Sequence, residues 1–299
     1  MQTIIGTGLS GLVGSRIVEL LSGKYTFENL DLTTGVDVTN PNIIDQKISS
    51  SSSNIVVHTA AFTDVDKAWE QQGDKDGLCY RINVLGTRNI CQTCRKYNKY
   101  LIHISTDFVF DGKKRTAYVE EDKPNPIEWY GQTKLLAEEE VKNSQANSLI
   151  LRISFPFKAK ESLFKFEPNP KLDLVRKIIE KLKNNQTAFM FFDQVITPTF
   201  IDDISKVIDY CILNKPKGLY HCVGSSAVSP YDLASLVADF FSLDKTLIKK
   251  TTLKLFEGEN FRPRQTFQAI SNNKLETDFG IKISTLAEAL KKIRIQIGK

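Results

Sequence analysis

Short apolar runs and helical patterns alternate through the first half of the chain. The apolar runs predict strands at Ile4–Ile5, Tyr25–Leu30, Ile55–His58, Leu101–Ser105 and Leu149–Ile153. The stretches between them predict helices at Val13–Leu21, Val65–Glu70, Val84–Tyr97 and Tyr130–Lys142. Buried strands separated by helices are typical of a parallel sheet covered on both faces. The pattern therefore predicts an α/β fold of the Rossmann type, with a doubly wound parallel sheet.

The pattern changes after residue 154. Lys158–Pro170 combines Lys, Phe and Pro without a clear period, which predicts a loop. Helices are predicted beyond it at Leu172–Lys183, Ile201–Leu213, Pro230–Phe241 and Ser284–Gln296. We expect residues 1–154 to form the Rossmann domain and residues 155–299 to form a smaller C-terminal lobe. This lobe would lie over the carboxyl ends of the strands, and some of its segments would return to the sheet.

Composition narrows the class of protein. The chain has 299 residues, of which 41% are hydrophobic, enough for a sizeable buried core. Its 40 basic and 35 acidic side chains give a net charge of +5. This excess is too mild to predict a nucleic-acid partner, which usually requires a concentrated basic stripe. No apolar run approaches the roughly 20 residues of a membrane helix, and the first residues lack the charged and apolar pattern of a signal peptide, so we expect neither.

The cysteines indicate a reducing compartment. They are odd in number and scattered, at Cys79, Cys91, Cys94, Cys211 and Cys222. Such a set in a long chain is typical of free thiols, so we expect a cytoplasmic protein. Cys91 and Cys94 form a lone CxxC inside a predicted helix, without a second such pair. We interpret them as ordinary helix cysteines and expect no metal site.

A glycine-rich loop, Thr7–Gly14, follows the first strand and opens the first helix. Gly8 and Gly11 let the backbone approach a pyrophosphate, and the helix N-terminus offers it free N–H groups. Asp31 ends the next strand, where a carboxylate can accept ribose hydroxyls. The loop predicts binding of NAD(H) or NADP(H). Asp31 favours NAD(H) because it would repel a 2′-phosphate, although Arg16 could soften that repulsion.

A tyrosine and a lysine suited to proton transfer lie four residues apart. In a helix this spacing puts Tyr130 and Lys134 on one face. A free phenol has a pKa near 10, and a nearby ammonium group favours the phenolate and lowers that pKa. Thr106 ends the strand before this helix, where its hydroxyl could hydrogen-bond a substrate carbonyl. The order of these motifs, behind a glycine loop, predicts a dehydrogenase or reductase.

The chain resembles the extended short-chain dehydrogenase/reductase family, and within it the dTDP-4-dehydrorhamnose reductase branch. The resemblance covers nearly the whole chain. Ala60–Ala68 and Ser105–Gly112 are specific to this branch, whereas the glycine loop is not. The other matching stretches are Thr7–Gly14, His58–Thr59, Asn83–Thr87, Tyr130–Lys134, Leu151–Ser154, Asp193–Gln194, Pro198–Thr199, Gly218–His221 and Arg262–Pro263.

The resemblance implies roles for individual residues. Thr106, Tyr130 and Lys134 would carry out the chemistry, and Tyr130 and Lys134 would also contact the cofactor. The cofactor would be bound by residues near its pyrophosphate (Gly11, Leu12, Val13), its adenosine ribose (Asp31), its adenine (Asp37, Val38) and its nicotinamide (Ala60, Ala61, Thr63).

The resemblance also locates the substrate, a nucleotide-diphosphate sugar. Phe108 and Phe155 occupy positions that face the sugar, where the family often has Tyr and Trp. Arg262 matches an arginine ahead of the final segment and would contact the substrate diphosphate. Arg16 stands where some relatives carry a metal-binding carboxylate, which speaks against a metal-bridged dimer, although a homodimer of another kind stays open.

Three functions follow from these matches. The first is NAD(P)H-dependent reduction of the C4 ketone of a 4-keto-6-deoxy nucleotide sugar, with Tyr130 as proton donor. The second is a nucleotide-sugar epimerase or dehydratase, although Asp107-Phe108 lacks the acidic pair usual in dehydratases. The third is a non-catalytic regulatory subunit that binds NAD(P), because the methionine adenosyltransferase β subunit also resembles this branch. Turnover of a ketosugar would favour the first function, and a copurifying larger partner the third.

Overall fold

A parallel sheet lies at the centre of the computed structural model, which describes residues 1–159, 172–257 and 261–297. The strands are β1 (Gln2–Thr7), β2 (Tyr25–Leu30), β3 (Ile55–His58), β4 (Tyr100–Thr106), β5 (Ser148–Ile153), β6 (Pro156–Phe157), β7 (Ala188–Phe191), β8 (Thr199–Phe200), β9 (Gly218–His221) and β10 (Ile248–Thr251). The main sheet has the order β2-β1-β3-β4-β5-β9, and every neighbouring pair in it is parallel. Its carboxyl ends therefore meet at one edge, where such folds bind ligands.

Helices cover the sheet and build the rest of the chain. They are α1 (Leu12–Leu21), α2 (Pro41–Ser50), α3 (Val65–Trp69), α4 (Leu78–Tyr80), α5 (Thr87–Lys96), α6 (Trp129–Asn143), α7 (Leu174–Lys183), α8 (Ile201–Asn214), α9 (Pro230–Phe241), α10 (Asn273–Phe279) and α11 (Leu286–Ile297). A π-helical segment, Arg81–Gly86, joins α4 to α5. None of the described helices combines the length and apolarity needed to cross a membrane.

Both faces of the main sheet are buried, as the apolar runs predict. Ile4 and Ile102 pack against residues of α1 and α8 on one face. Their neighbours Ile5 and Leu101 pack against α2 and α5 on the other. All seven residues of β4 are buried. Strands buried on two sides read as continuous apolar runs, which is why the sequence located them. The predicted α/β fold of the Rossmann type is confirmed.

Most predicted bounds agree with the structure to within two residues, and those of β2, β3 and α9 agree fully. The helix predicted at Val84–Tyr97 begins earlier, at Leu78, because a π-helical segment shifts its period after the first turn. Helix α2 was absent from the predicted elements. It is capped by Asn40, and its buried side chains are only Ile44 and Ile48, too few for a strong apolar pattern.

The C-terminal half builds a second core and also completes the main sheet. Its two small parallel sheets are β7 with β10 and β6 with β8. Residues of α7, α9 and α11 pack together around them. Strand β9 extends the main sheet beside β5, so one segment of this half lies in the sheet. The division near residue 154 stays a prediction, and most of the predicted loop Lys158–Pro170 lies outside the described residues.

Candidate active site

The glycine loop turns tightly against the end of β3. Gly8 has a φ of +65°, which favours glycine. A Cβ atom there would lie 2.7 Å from the backbone nitrogen of Ala60, so the two segments touch. The Gly11 amide donates to the Gly8 carbonyl at 3.1 Å, and no side chain caps α1. The start of α1, with Leu12 and Val13, is thus left for an anion such as a pyrophosphate.

Asp31 braces this loop. Its carboxylate accepts from the Ser10 amide at 3.1 Å, the Ser10 hydroxyl at 2.6 Å and the Asn29 amide at 2.8 Å. It also accepts from the amide and hydroxyl of Thr33 at 2.9 and 2.6 Å. A carboxylate has room for about four such bonds. Ribose hydroxyls would therefore compete with these donors, and the ribose-binding role of Asp31 stays a prediction.

The other predicted cofactor residues lie at the carboxyl ends of β2 and β3. Asp37 and Val38 follow the turn after β2, Asp37 half-buried and Val38 buried. Ala60 and Ala61 are half-buried directly after β3, and Thr63 is exposed. The carboxyl ends of neighbouring parallel strands are adjacent, so these residues are brought to the same edge as the glycine loop.

Asn83 connects the segment after β3 to α6. It lies in the π-helical segment Arg81–Gly86, and its side chain accepts from the Phe62 amide at 2.8 Å. It donates to the Thr133 hydroxyl at 3.0 Å. π-Helical turns are frequent at functional sites. The sequence indicated Asn83 only as part of a matching stretch and did not predict its contacts, because both partners are distant in the chain.

The predicted Thr–Tyr–Lys set is brought together. Thr106 ends β4, while Tyr130 and Lys134 lie on α6, and all three side chains are buried. The Thr106 hydroxyl lies close enough to the phenol of Tyr130 to lower its pKa. The Lys134 ammonium group donates to the Ile104 carbonyl at 2.7 Å. The three predicted residues thus lie at one place, and their role in proton transfer stays a prediction.

The protonation states differ from those expected. Burial raises the pKa of Tyr130 above its ordinary value, and Asp107 and Glu128 add to that rise. Burial lowers the pKa of Lys134 to about 8. The expected lowering of the phenol pKa by Lys134 is not met, because desolvation dominates and raises this pKa. Tyr130 is consequently a protonated phenol at neutral pH, which is the form that a proton donor requires.

Two buried carboxyl groups flank Tyr130, and neither was predicted as a site residue. Asp107 accepts from the Thr106 hydroxyl at 3.0 Å and from the Ser154 hydroxyl at 2.9 Å. Glu128 caps α6 by accepting from the Tyr130 amide at 2.8 Å. Burial raises the pKa of each carboxyl to about 7. Both groups can therefore change charge near neutrality.

An apolar and basic cleft of about 320 Å³ opens beside the set. Phe108 and Phe155 line it, and the Phe108 ring meets Tyr130 edge-on with centroids 5.4 Å apart. Phe155 has a φ of +39°, a backbone conformation that is strained for a bulky residue. Strain of this kind persists where the surrounding structure requires it. The two predicted substrate residues thus lie together in the cleft, as the sequence indicated.

Arg262 pairs with an acidic residue of α3. Its Nε donates to Asp66 at 2.6 Å, and the two residues are 196 positions apart in the chain. Arg262 also lines the cleft, together with Arg264, Lys177 and Lys181, which were not predicted. Four cations in one cleft suit an anionic ligand. The helical period of α7 does not distinguish a lysine that faces the cleft from one that faces solvent. Lys177 and Lys181 were therefore not predicted as site residues.

Arg16 forms hydrogen bonds and ion pairs with neighbouring side chains of the protein. Its guanidinium group donates to both carboxylate oxygens of Asp202, at 2.7 and 2.8 Å, and to the Gln296 side chain at 3.0 Å. It also pairs with Glu19 at 2.9 Å. Arg16 therefore ties α1 to α8 and α11, and it is not available to soften repulsion of a phosphate near Asp31. Among residues 1–159, 172–257 and 261–297, no cluster of three metal-ligating side chains occurs.

Known proteins resemble this chain in sequence over most of its length. The dTDP-4-dehydrorhamnose reductase of Aggregatibacter actinomycetemcomitans is 28% identical over 98% of this chain and 99% of its own length. The Escherichia coli K12 reductase of the same name is 31% identical, covering 79% of this chain and 77% of its own.

Solved structures extend the similarity to the fold. A dTDP-4-dehydrorhamnose reductase from Bacillus anthracis, crystallised in complex with NADP, superposes with a TM-score of 0.88 at 25% identity, covering 99% of this chain and 100% of its own. A dTDP-4-dehydrorhamnose reductase from Clostridium acetobutylicum has a TM-score of 0.87 at 28% identity over the full length of both chains. The family described as the RmlD substrate binding domain matches residues 1–297, and this chain belongs to that family.

Proposed function

We propose that this protein is an NAD(P)H-dependent reductase of the C4 ketone of a 4-keto-6-deoxy nucleotide sugar. The observation that carries the proposal is the convergence of Thr106, Tyr130 and Lys134 beside a basic cleft in a chain of this family. Similarity to the dTDP-4-dehydrorhamnose reductases of Aggregatibacter actinomycetemcomitans and Escherichia coli supports the same reaction. Dehydration is disfavoured because Phe108 stands where an acidic residue would be needed, and its ring packs on Tyr130.

The residues divide the reaction between them. A bound nicotinamide would supply the hydride that C4 receives. Tyr130 holds its proton and would deliver it to the ketone oxygen, so that the alkoxide leaves as an alcohol. Lys134 would hold the cofactor ribose and, as a cation, stabilise the phenolate that forms. Thr106 would donate a hydrogen bond to the ketone oxygen, and the cations of the cleft would bind the substrate diphosphate.

The test is turnover. Purified protein with dTDP- or UDP-4-keto-6-deoxyglucose and NADH or NADPH should lose the absorbance of the reduced cofactor and form the 6-deoxy sugar. The matched control omits the keto group by offering dTDP-glucose, which should give no loss. Tight nucleotide binding without turnover of either ketosugar would contradict the proposal and favour a regulatory subunit.

We further propose that NADH is preferred over NADPH. Burial disfavours the charge of Asp31, but hydrogen bonds from Ser10, Thr33 and Asn29 outweigh it and lower the pKa of Asp31. Asp31 is therefore ionised at neutral pH and would repel a 2′-phosphate. We expect calorimetry to give the smaller dissociation constant for NADH. The Bacillus anthracis relative was crystallised with NADP, and a smaller dissociation constant for NADPH would contradict the preference proposed here.

The variant Asp31→Ala separates charge from loop bracing. Removing the carboxylate leaves the Ser10 amide without its acceptor in the glycine loop. We expect the dissociation constant for NADH to rise roughly tenfold or more, because a hydrogen bond to a charged group contributes about 1.5–3 kcal/mol. Binding of NADPH should weaken less, because the substitution also removes the repulsion between the Asp31 carboxylate and the 2′-phosphate. Equal losses for both cofactors would show that Asp31 acts on the loop alone.

We propose that the protein forms a homodimer and is located in the cytoplasm. The resemblance to extended reductases supports the homodimer, and the free thiols support a reducing compartment. The proposed homodimer has no metal bridge at position 16, because Arg16 forms an ion pair with Asp202. Sedimentation of the purified protein measures the assembly.

A further inference from the structure

The hydroxyl of Thr106 has a single hydrogen, which it can donate to one acceptor at a time. It donates to Oδ1 of Asp107 at 3.0 Å. The hydroxyl oxygen of Thr106 accepts from the Phe108 amide at 3.3 Å. A threonine hydroxyl offers one donor and two acceptor positions. In this arrangement Thr106 has no hydrogen left for a ketone oxygen, which needs a donor. The proposed role of Thr106 therefore conflicts with an ionised Asp107.

The conflict disappears when Asp107 carries a proton. A carboxylic acid at Oδ1 donates to the Thr106 oxygen, which then accepts from both Asp107 and the Phe108 amide. The Thr106 hydrogen is released and can point into the cleft. The second oxygen of Asp107 keeps its bond from the Ser154 hydroxyl at 2.9 Å. The Thr106 hydroxyl and both oxygens of Asp107 then each have a partner once the ketone is bound.

We propose that Asp107 is a positioning residue whose protonated form turns the Thr106 hydroxyl toward the substrate ketone. This inference rests on the proposed function for its effect on turnover. Asp107 need not touch the substrate, because it acts through Thr106. Its side chain is buried, with 1% exposure, so water does not compete for these hydrogen bonds.

The surroundings of Asp107 favour the protonated form near neutrality. Burial is the largest influence on its pKa, and it raises the pKa to about 7. The hydrogen bonds from Ser154 and Thr106 act in the opposite direction. Helix α6 presents Tyr130 and Glu128, which interact electrostatically with Asp107.

The cations near this group are largely engaged elsewhere. Lys134 of α6 donates to the Ile104 carbonyl. Arg152 of β5 pairs with Glu138 at 2.8 Å. Arg262, which interacts electrostatically with Glu128, pairs with Asp66. No cation of the described ranges forms an ion pair with Asp107, and the largest influences that oppose burial are hydrogen bonds from hydroxyl and amide groups.

The pH dependence of kcat tests the inference. Asp107 has a raised pKa, so its acid form prevails below that pKa and is lost as pH rises through it. We expect kcat of the wild type to fall about tenfold for each pH unit above neutrality, while Asp107→Asn lacks this decline. The Asn amide donates to Thr106 at every pH and mimics the acid. A decline that persists unchanged in Asp107→Asn would overturn the proposal.

Two further variants should shift the decline in opposite directions. Ser154→Ala removes a hydrogen bond that favours the charged form, so the decline should move to higher pH. Glu128→Gln removes a neighbouring negative charge, so the decline should move to lower pH and yet persist. A decline that vanishes in Glu128→Gln would assign the titration to Glu128 and overturn the proposal.

Infrared spectroscopy reads Asp107 without turnover. The wild type should show a protonated-carboxyl C=O band about one pH unit below neutrality that Asp107→Asn lacks. Absence of this band would overturn the proposal. If the band is present but no ketosugar is turned over, the protonated Asp107 is supported and the failure counts against the proposed function alone.

Discussion

Turnover of a 4-keto-6-deoxy nucleotide sugar should fall about 10²–10⁴-fold in Tyr130→Phe, the range usual for lost general acid catalysis. The substitution removes one oxygen and keeps the ring, so the edge-on contact with Phe108 should survive. The buried phenol is protonated at neutral pH, and no other hydroxyl on α6 lies at that position to replace it. Stopped-flow loss of NADH absorbance measures the effect.

Cofactor binding provides the control for Tyr130→Phe. Its dissociation constant for NADH should change little, because the glycine loop would hold most of the dinucleotide. Lys134→Ala should weaken both binding and turnover, since Lys134 is proposed to hold the ribose and stabilise the phenolate. Thr106→Val should slow turnover while it leaves NADH binding nearly intact. Equal turnover by wild type and Tyr130→Phe would remove Tyr130 from the mechanism.

Arg152→Leu should destabilise the protein by about 3–5 kcal/mol, the usual cost of breaking a buried ion pair on one side. Arg152 of β5 donates to both oxygens of Glu138 at 2.8 Å, and both side chains are almost completely buried. Without Arg152, the Glu138 carboxylate keeps the hydroxyl of Ser105 as a partner but loses its buried cation. Urea unfolding followed by circular dichroism gives the free energy of unfolding.

The double variant Arg152→Leu with Glu138→Leu is the matched control. Replacing both partners by apolar side chains of similar size removes the uncompensated charge, so much of the lost stability should return.

An ion pair on the surface provides a second control, because its loss should hardly change the free energy of unfolding. Lys245 and Asp239 are half-exposed, and Lys245→Ala should have little effect. A single variant Arg152→Leu as stable as wild type would show that Glu138 is neutralised by protonation instead.

The elements of this fold were predictable where burial is continuous or periodic. The bounds of β3 follow from four consecutive buried residues, Ile55–His58, which leave no ambiguity about their extent. Helix α7 shows apolar positions three and four residues apart and was predicted to within two residues at its start. Helix α2 was missed because only Ile44 and Ile48 are buried in it.

Hydrogen-bond partners in the site could not be predicted in the same way. The motif correctly placed Asp31 at the end of β2, but not its bonds to Ser10, 21 residues earlier. The sequence did not predict Asp107 as a site residue, since its bond to Ser154 depends on how β4 and β5 align. A polar side chain takes its role from neighbours that the fold supplies, and sequence spacing does not reveal them.

The edge position of β9 limits how this protein can be divided or recombined. Gly218–His221 is the last strand of the main sheet, and His221 lies 3.3 Å from Arg152 of β5. A chain cut or fused at residue 154 would leave β5 as an open edge that invites pairing with another molecule. Chimeras between relatives should therefore keep Gly218–His221 with the first half. A chain growing on the ribosome cannot finish this sheet before residue 221 has emerged.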